Sequence, residues 1–230
     1  MKRLLIIACL FVVAVTSNAQ QLSQVTFNNG AALSYFSLLT DQGVYIRISE
    51  TGKALEWGTE LMSNRGNIYA PRLQPFMGRV EYYGAEADSA VKGKVKSIGT
   101  TSLTYYGASE TESKAGKLKT VGTLIIDYYS TYDNAILKGK IRSIGNYNID
   151  YYSSFDEESL RGKLKTVNNT PVTYYSSFDD KLIRGQIKSI GSYTYTWYTS
   201  LDLNAAKGAL KTGQYRQQIG SITYILREGV

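Results

Sequence analysis

Apolar and polar residues alternate along short segments of this chain, in the pattern of half-buried β-strands. Around residue 145, a first strand is predicted over Lys140 to Ile144 and a second over Asn148 to Phe155, joined at Gly145-Asn146. Neighbouring residues of a strand point to opposite faces, so even positions form an apolar face and odd positions a charged face. The even face holds Ile141, Ser143, Ile149, Tyr151, Ser153 and Phe155, and the odd face holds Lys140, Arg142, Ile144, Asp150, Tyr152, Ser154 and Asp156.

The same hairpin returns every 23 residues, which indicates a repeat architecture. Each copy opens on a glycine and has a basic residue at the third position after it, and every copy except the last carries an aromatic pair at the twelfth and thirteenth positions. The glycines are Gly93, Gly116, Gly139, Gly162, Gly185 and Gly208. The basic residues are Lys96, Lys119, Arg142, Lys165, Lys188 and Lys211. The aromatic pairs are Tyr105-Tyr106, Tyr128-Tyr129, Tyr151-Tyr152, Tyr174-Tyr175 and Trp197-Tyr198.

The repeat predicts an all-β fold, in which tandem 23-residue β-hairpins form a long, twisted or curled antiparallel meander. A helix is the alternative for Asp156 to Leu160, but so few residues make at most one turn, so the segment is read as a connection to the next hairpin. An open sheet of a dozen or more strands is expected to twist, curl or close on itself. With a three-residue turn, Arg142 would face Asp150 and Lys119 would face Asp127.

Four segments are predicted from where the repeat begins and ends. They are a signal peptide over 1–19, an N-terminal β cap over 20–70, tandem hairpins over 71–212, and C-terminal capping strands over 213–230. In the cap, Val44 to Ile48 alternates like a strand and Ala54 to Trp57 follows a turn. The repeat is irregular at both ends, as expected of copies that protect the open edges of a stack.

Export is predicted from the first residues. Lys2 and Arg3 precede an apolar run from Leu4 to Val15, and Ser17-Asn18-Ala19 follows with the small residues of a cleavage site. The run is too short to cross a bilayer, so no membrane span is expected. The protein is expected to be periplasmic, at the cell surface or extracellular.

Charge changes this picture little. The chain carries a net charge of +7, and removal of the signal peptide takes away two positive charges to leave +5. A moderately basic exported protein can favour anionic polymers or membrane surfaces, although charge of this size bears first on solubility.

The sequence from Gly162 to Val167, followed by Tyr174-Tyr175, resembles MORN-type repeats and their bacterial antitoxin-like relatives. The equivalent segments between Gly93 and Tyr198 show the same resemblance. The tyrosine-rich second strand is similar to choline-binding cell-wall repeats. These resemblances imply an exported protein of tandem β-hairpins. The doubled glycines expected of a MORN unit are only partly present in this sequence. No binding residue of these families is therefore assigned to a position of this chain.

Most catalytic chemistry is excluded by composition. The chain has no histidine, and its single cysteine, Cys9, lies in the predicted signal peptide, which rules out histidine-dependent triads, cysteine nucleophiles and ordinary zinc sites. The carboxylates Asp133, Asp156, Asp179 and Asp202 recur at one repeat position. A column of this kind is typical of turn residues, whereas a catalytic pair should be unique. We therefore expect no enzyme, cofactor or metal; a glycan-acting hydrolase with unidentified carboxylates is the alternative.

A binding role is the leading hypothesis. The even-face tyrosines, Tyr105, Tyr128, Tyr151 and Tyr174, are expected in the core, and the odd-face ones are expected to be exposed as a row of sugar-stacking rings flanked by basic residues. The candidate ligand-binding residues are Tyr106, Tyr129, Tyr152, Tyr175 and Tyr198 with Lys119, Arg142, Lys165 and Lys188. The expected partner is a polysaccharide or anionic envelope polymer. Another protein, docked on the sheet edge or apolar face, is the alternative, and export argues against nucleic acid.

Overall fold

The computed structural model describes residues 20–61, 72–203 and 206–227. The predicted signal peptide, the cap residues from 62 to 70 and the last residues, 228–230, lie outside this range. The described residues form 20 strands and no helix, so the predicted all-β hairpin meander is confirmed. In particular, these residues include no helix of the length and apolarity that a membrane crossing requires.

Strands from both ends of the chain make one seven-stranded sheet, called the terminal sheet here. Its order is β19-β20-β1-β2-β3-β4-β5, and β1 and β20 pair in parallel while its other neighbours are antiparallel. The strands are β1 (Gln21–Asn28), β2 (Ala32–Leu39), β3 (Tyr45–Ile48), β4 (Ala54–Glu60), β5 (Leu73–Pro75), β19 (Arg216–Ile219) and β20 (Ile222–Arg227). Strands from the two predicted caps thus belong to one sheet.

The hairpin repeats form an open eleven-stranded antiparallel sheet, the repeat sheet, with β6 and β16 at its edges. A two-stranded continuation follows it. The strands are β6 (Val80–Tyr82), β7 (Val95–Ile98), β8 (Thr101–Tyr105), β9 (Leu118–Val121), β10 (Leu124–Tyr128), β11 (Ile141–Ile144), β12 (Tyr147–Tyr151), β13 (Leu164–Val167), β14 (Thr170–Tyr174), β15 (Ile187–Ile190), β16 (Tyr193–Thr194), β17 (Thr196–Trp197) and β18 (Leu210–Thr212).

Each hairpin closes with a two-residue turn. In the copy from Gly139, Ile144 lies opposite Tyr147, so only Gly145 and Asn146 connect the strands. The first turn residue has positive φ, which suits glycine and explains why asparagine, at Asn168, is the residue that replaces it in one copy. The three-residue turn on which the Arg142–Asp150 and Lys119–Asp127 pairs depended therefore does not form.

The charge pairs that depended on that turn are also not the ones formed. Asp127 pairs with Lys114, whose Nζ lies 2.5 Å from Oδ1, rather than with Lys119. Asp150 accepts a hydrogen bond from the Tyr129 hydroxyl at 3.0 Å and lies opposite Thr166 of the next copy.

Between copies, the ladder contains a β-bulge at the same place each time. Asp127 lies opposite Ser143 and Tyr128 opposite Ile141, which leaves Arg142 as the extra residue. A bulge reverses the parity of the residues that follow it, so Ile141 and Ile144 are both buried although parity had put them on opposite faces. The assignment of Ile144 to the charged face is wrong for this reason.

The terminal sheet packs face to face on the repeat sheet, and the core lies between them. Leu22, Phe36 and Ile46 of the terminal sheet share one apolar cluster with Ile126 and Ile149 of the repeat sheet. Apolar side chains from two sheets exclude water only when the sheets stack, because each sheet has a single apolar face.

Two turns of the terminal sheet bond directly to strand starts of the repeat sheet. The Ile141 amide donates to Glu50 O at 2.8 Å, and the Ile187 amide donates to Gly30 O at 2.6 Å. Ile141 and Ile187 occupy equivalent positions two copies apart. The terminal sheet therefore spans a fixed number of copies.

Candidate binding surface

The predicted sugar-binding tyrosines join consecutive copies of the repeat. Tyr106 is buried at 8% exposure, and the others are half-buried, so the expectation of an exposed row is wrong for Tyr106 and only partly met elsewhere. The hydroxyls of four of them donate to a backbone carbonyl of the next copy. These bonds are Tyr106 to Ile126 O at 3.1 Å, Tyr129 to Ile149 O at 3.0 Å, Tyr152 to Val172 O at 3.1 Å and Tyr175 to Tyr195 O at 2.9 Å.

The faces of these rings are also occupied. Tyr129 meets Tyr151 edge to face, with 6.2 Å between ring centroids and 71° between planes, and Tyr152 meets Tyr174 at 6.0 Å. The basic bulge residue of the next strand lies over each ring. The cation-to-centroid distances are 5.4 Å for Lys119 over Tyr106, 5.9 Å for Arg142 over Tyr129, 5.4 Å for Lys165 over Tyr152, 5.6 Å for Lys188 over Tyr175 and 5.4 Å for Lys211 over Tyr198. The tyrosines and lysines therefore contact one another, which stabilises the stack.

The first tyrosine lies in the core, as predicted, in three of the four tyrosine pairs. Tyr128, Tyr151 and Tyr174 are buried, while Tyr105 is half-buried. Burial raises the pKa of Tyr128 and Tyr151, and the hydroxyl of Tyr128 donates to Leu118 O at 2.6 Å.

A different row of side chains is exposed. Tyr132, Phe155, Phe178 and Leu201 sit at one equivalent position of consecutive copies, and their exposed fractions are 95%, 93%, 94% and 86%. We call these four residues the loop-tip row. Apolar side chains are rarely so completely exposed in a series, so this row is a candidate contact surface.

A local turn fixes each loop tip. The Ser153 amide and hydroxyl donate to Asp156 Oδ2 at 2.6 and 2.8 Å, and the hydroxyl accepts from the Phe155 amide at 3.2 Å. The Asp156 carboxylate closes the turn by accepting these bonds, and the Phe155 side chain at the tip of the turn is exposed to solvent. Hydrogen bonds from Ser153 lower the pKa of this carboxyl. The prediction that the Asp column consists of turn residues is confirmed, because Asp133, Asp179 and Asp202 accept the same amide bond.

Neighbouring loops are bonded to each other as well. The Ser154 amide donates to Asn134 Oδ1 at 3.3 Å, and the Ser200 amide donates to Asp180 Oδ2 at 3.2 Å. The Ser177 amide makes the equivalent bond to Glu157 Oε1. These bonds connect the loops into one continuous strip and hold the exposed rings at a fixed spacing.

Positive charge accompanies the loop-tip row. Arg161 Nε donates to Asp156 O at 2.9 Å, and Arg184 Nε donates to Asp179 O at 2.8 Å. Both arginines are exposed. Each phenylalanine tip is thus near an exposed guanidinium, which can bind a carboxylate or phosphate.

Parity reasoning missed the loop-tip row. It placed Phe155 at the end of a strand on the apolar face, but β12 ends at Tyr151 and Phe155 lies in the loop beyond it. The available signal was the tetrad of Ser or Thr, any residue, an apolar residue and Asp that follows four of the five aromatic pairs, from Tyr128-Tyr129 to Trp197-Tyr198. A serine and an aspartate three residues apart form a local turn, and such a turn ends the strand.

Among the described residues, no three carboxylates lie close enough together to hold a metal ion. Comparison with protein-family models, with curated proteins and with solved structures gives no match for this chain.

Proposed function

We propose that this protein is exported, acts without catalysis in the cell envelope, and binds a polysaccharide or other anionic envelope polymer along the loop-tip row. The observation that carries the proposal is the row itself, with three fully exposed aromatic rings at successive copies. Aromatic rings stack on the apolar faces of sugar rings. Successive copies lie two strands apart, so the rings are spaced roughly 9 to 10 Å along the sheet.

The arginines beside the row support an acidic polymer. Arg161 and Arg184 keep their guanidinium groups at the surface while only Nε is used by the loop carbonyl. The remaining donors suit carboxylate or phosphate groups. The repeated carboxylates support a non-catalytic role, because Asp156 and its equivalents already accept hydrogen bonds within their own turns.

The test uses the double substitution Phe155→Ser and Phe178→Ser, measured by calorimetric titration against acidic and neutral envelope polysaccharides. The expected result is at least a roughly tenfold loss of affinity with unchanged thermal unfolding, because side chains this exposed add little to the fold. Met77→Ser is the matched control, since Met77 is 90% exposed and lies outside the row. Binding that survives the double substitution would overturn the proposal. Substitution of Tyr129 and Tyr152 is less informative because it also removes contacts between copies.

A protein partner is the second candidate. Leu201 and Leu203, at 86% and 88% exposure, extend the exposed surface with aliphatic side chains that a sugar ring does not need. Sedimentation velocity over a concentration series distinguishes the two functions. Self-association that the Leu201→Ser variant abolishes would favour docking between protein chains.

A further inference from the structure

A cleft opens between the two sheets where the terminal sheet stops short. β5 ends at Pro75, opposite Gly58, so among the described residues the first half of β4 pairs with β3 on one side and has no strand on the other side. The uncovered space has a volume of about 610 Å³. This volume falls in the range of small-molecule sites. The lining comes from the β3–β4 turn and β4 on one side and from the starts of β7 and β9 on the other.

The cleft combines aromatic walls with two ammonium groups. Trp57 of the terminal sheet and Tyr105 of the repeat sheet are half-buried and line it together with Val95. Lys94 and Lys117 also line the cleft. A ligand with a flat ring could pack between the aromatic side chains, and an anionic group on it could accept hydrogen bonds from the lysines.

Lys94 and Lys117 belong to a column of residues that occupy the same repeat position, and the contacts of the other members can be compared with theirs. The residue after each period-marking glycine contacts the carbonyl of the next such glycine, as Lys140 does with Gly162 O at 2.7 Å and Lys163 with Gly185 O at 2.9 Å. Lys94 and Lys117 make the same contact. Each also lies over a tyrosine ring, with 5.1 Å between Nζ and the ring centroid in both cases.

Lys140 and Lys163 have a further partner from the terminal sheet. Lys140 Nζ lies 2.9 Å from Glu50 Oε2, and Lys163 Nζ donates to Ala31 O at 2.9 Å. Lys94 and Lys117 have no carboxylate within ion-pair distance in the described part of the chain. At this place the cleft lies between the lysines and the terminal sheet. Burial lowers the pKa of both lysines, which indicates that they are partly desolvated without a compensating anion.

We propose that this cleft binds a small ring-bearing carboxylate, with Lys94 and Lys117 donating to the carboxylate and with Trp57 and Tyr105 packing on the ring. The carboxylate takes the place that Glu50 has beside Lys140. The site shares no residue with the loop-tip row, so it stands or falls independently of the polymer proposal.

Two pairs of probes test the ligand chemistry. Methyl β-D-glucuronide and methyl β-D-glucoside form one pair, and 1-naphthoate and 1-naphthamide form the other; each pair differs in the carboxylate. Quenching of Trp57 fluorescence reports binding, and the Trp197→Phe variant removes the other tryptophan. At least one carboxylate is expected to saturate in the millimolar range or below, with its neutral partner about tenfold weaker or worse. The tighter carboxylate shows whether the walls accept a sugar or an aryl ring.

Glutamine is the appropriate substitution at the lysines because the column contains one already. Gln186 Nε2 donates to Gly208 O at 3.1 Å, so Lys94→Gln with Lys117→Gln should keep the carbonyl contacts and lose the charge. We expect this double variant to weaken carboxylate binding about tenfold or more and to leave binding of the neutral probe unchanged. Lys163→Gln is the matched control and should bind like the unmodified protein.

Three results would overturn the proposal. They are equal affinity for the charged and neutral member of each pair, an equal loss in the Lys163→Gln control, and no saturable binding of either carboxylate in the millimolar range. Thermal unfolding of each variant verifies that the fold is retained. If the double variant does not fold, Trp57→Ala replaces it, and unchanged carboxylate affinity in that variant, measured by calorimetry, would equally overturn the proposal.

Discussion

At the scale of single residues, Tyr152 shows how one residue joins two consecutive copies of the repeat. Its hydroxyl donates to Val172 O, its ring meets Tyr174 edge to face, and Lys165 lies over it. Its backbone amide in turn donates to Lys163 O at 2.9 Å. The sequence identifies this residue as special because it recurs, and the contacts show that it links one copy to the next.

Substitution of Tyr152 by phenylalanine should destabilise the protein. The change removes the hydrogen bond to Val172 O and keeps the ring contacts, so we expect a loss of about 1 kcal/mol in the free energy of unfolding. Urea denaturation followed by circular dichroism measures it. The control is Tyr132→Phe, which removes the hydroxyl of a side chain that is 95% exposed and should change the stability very little. Equal stability of the two variants would contradict the bridging role.

At the scale of elements, the hairpin and its loop respond to different parts of the repeat. The bulge at the basic residue shifts the strand so that Ile141 and Ile144 both reach the core. The Ser-to-Asp turn ends the second strand at Tyr151 and presents Phe155 to solvent. Each copy therefore carries a core part that repeats almost without change and an exposed loop, on which the proposed binding depends.

Deletion of one whole copy, Gly139 to Arg161, should leave the hairpin register intact. Gly162 then follows Lys138, and Leu164 can take the place of Ile141 beside Glu50. The variant should keep its β content and unfold cooperatively, but at a lower temperature, since the contacts at Glu50 and Gly30 would then lie one copy apart instead of two.

Deletion of only half a copy, Gly139 to Asp150, is the comparison. It should place a tyrosine-bearing segment where a basic strand belongs, leave one strand unpaired and abolish cooperative unfolding. Circular dichroism melts of the two variants decide the matter. Should the half-copy deletion melt cooperatively while the whole-copy deletion is unfolded, the 23-residue hairpin would not be the structural unit.

At the scale of the whole molecule, the buried tyrosines make stability depend on alkaline pH. Burial raises the pKa of Tyr128, Tyr151 and Tyr174 above the ordinary value, and raises the pKa of Tyr195 and Tyr224 to about 12. The folded state thus keeps protons that the unfolded state releases. The stabilisation is complete below the unfolded pKa of about 10 and is lost as the pH rises through the folded values.

We therefore expect the free energy of unfolding to fall steeply above pH 10. The first three tyrosines are each buried, and together they correspond to about 4 kcal/mol per pH unit until they ionise. The lowered pKa values of Lys94, Lys117 and Lys163 act in the opposite direction below about pH 10.5, so the decline should begin gradually.

Urea denaturation at a series of alkaline pH values measures this decline, and phenolate absorbance of the native protein gives an independent check. Absorbance should rise in step with unfolding. Ionisation of most tyrosines near pH 10 in protein that is still folded would contradict the burial described here.

The amino-acid sequence by itself determined the period, the hairpin and the core role of the first tyrosine in each pair. These features depend on contacts between neighbouring copies, about 20 residues apart in the chain, and every copy repeats the same residues for them. The turn role of Asp156 and its equivalents was predictable for the same reason, because a turn involves only residues adjacent in sequence.

Only the tertiary structure decided the rest. The parallel pairing of β1 with β20 joins opposite ends of the chain, and no local pattern specifies it. Strand parity failed at Ile144 and Phe155 because a bulge inserts a residue and a turn ends the strand, and neither alters the alternation of residue types. The cleft at Lys94 and Lys117 exists because β5 is short, so lysines that look identical in sequence differ in what lies above them.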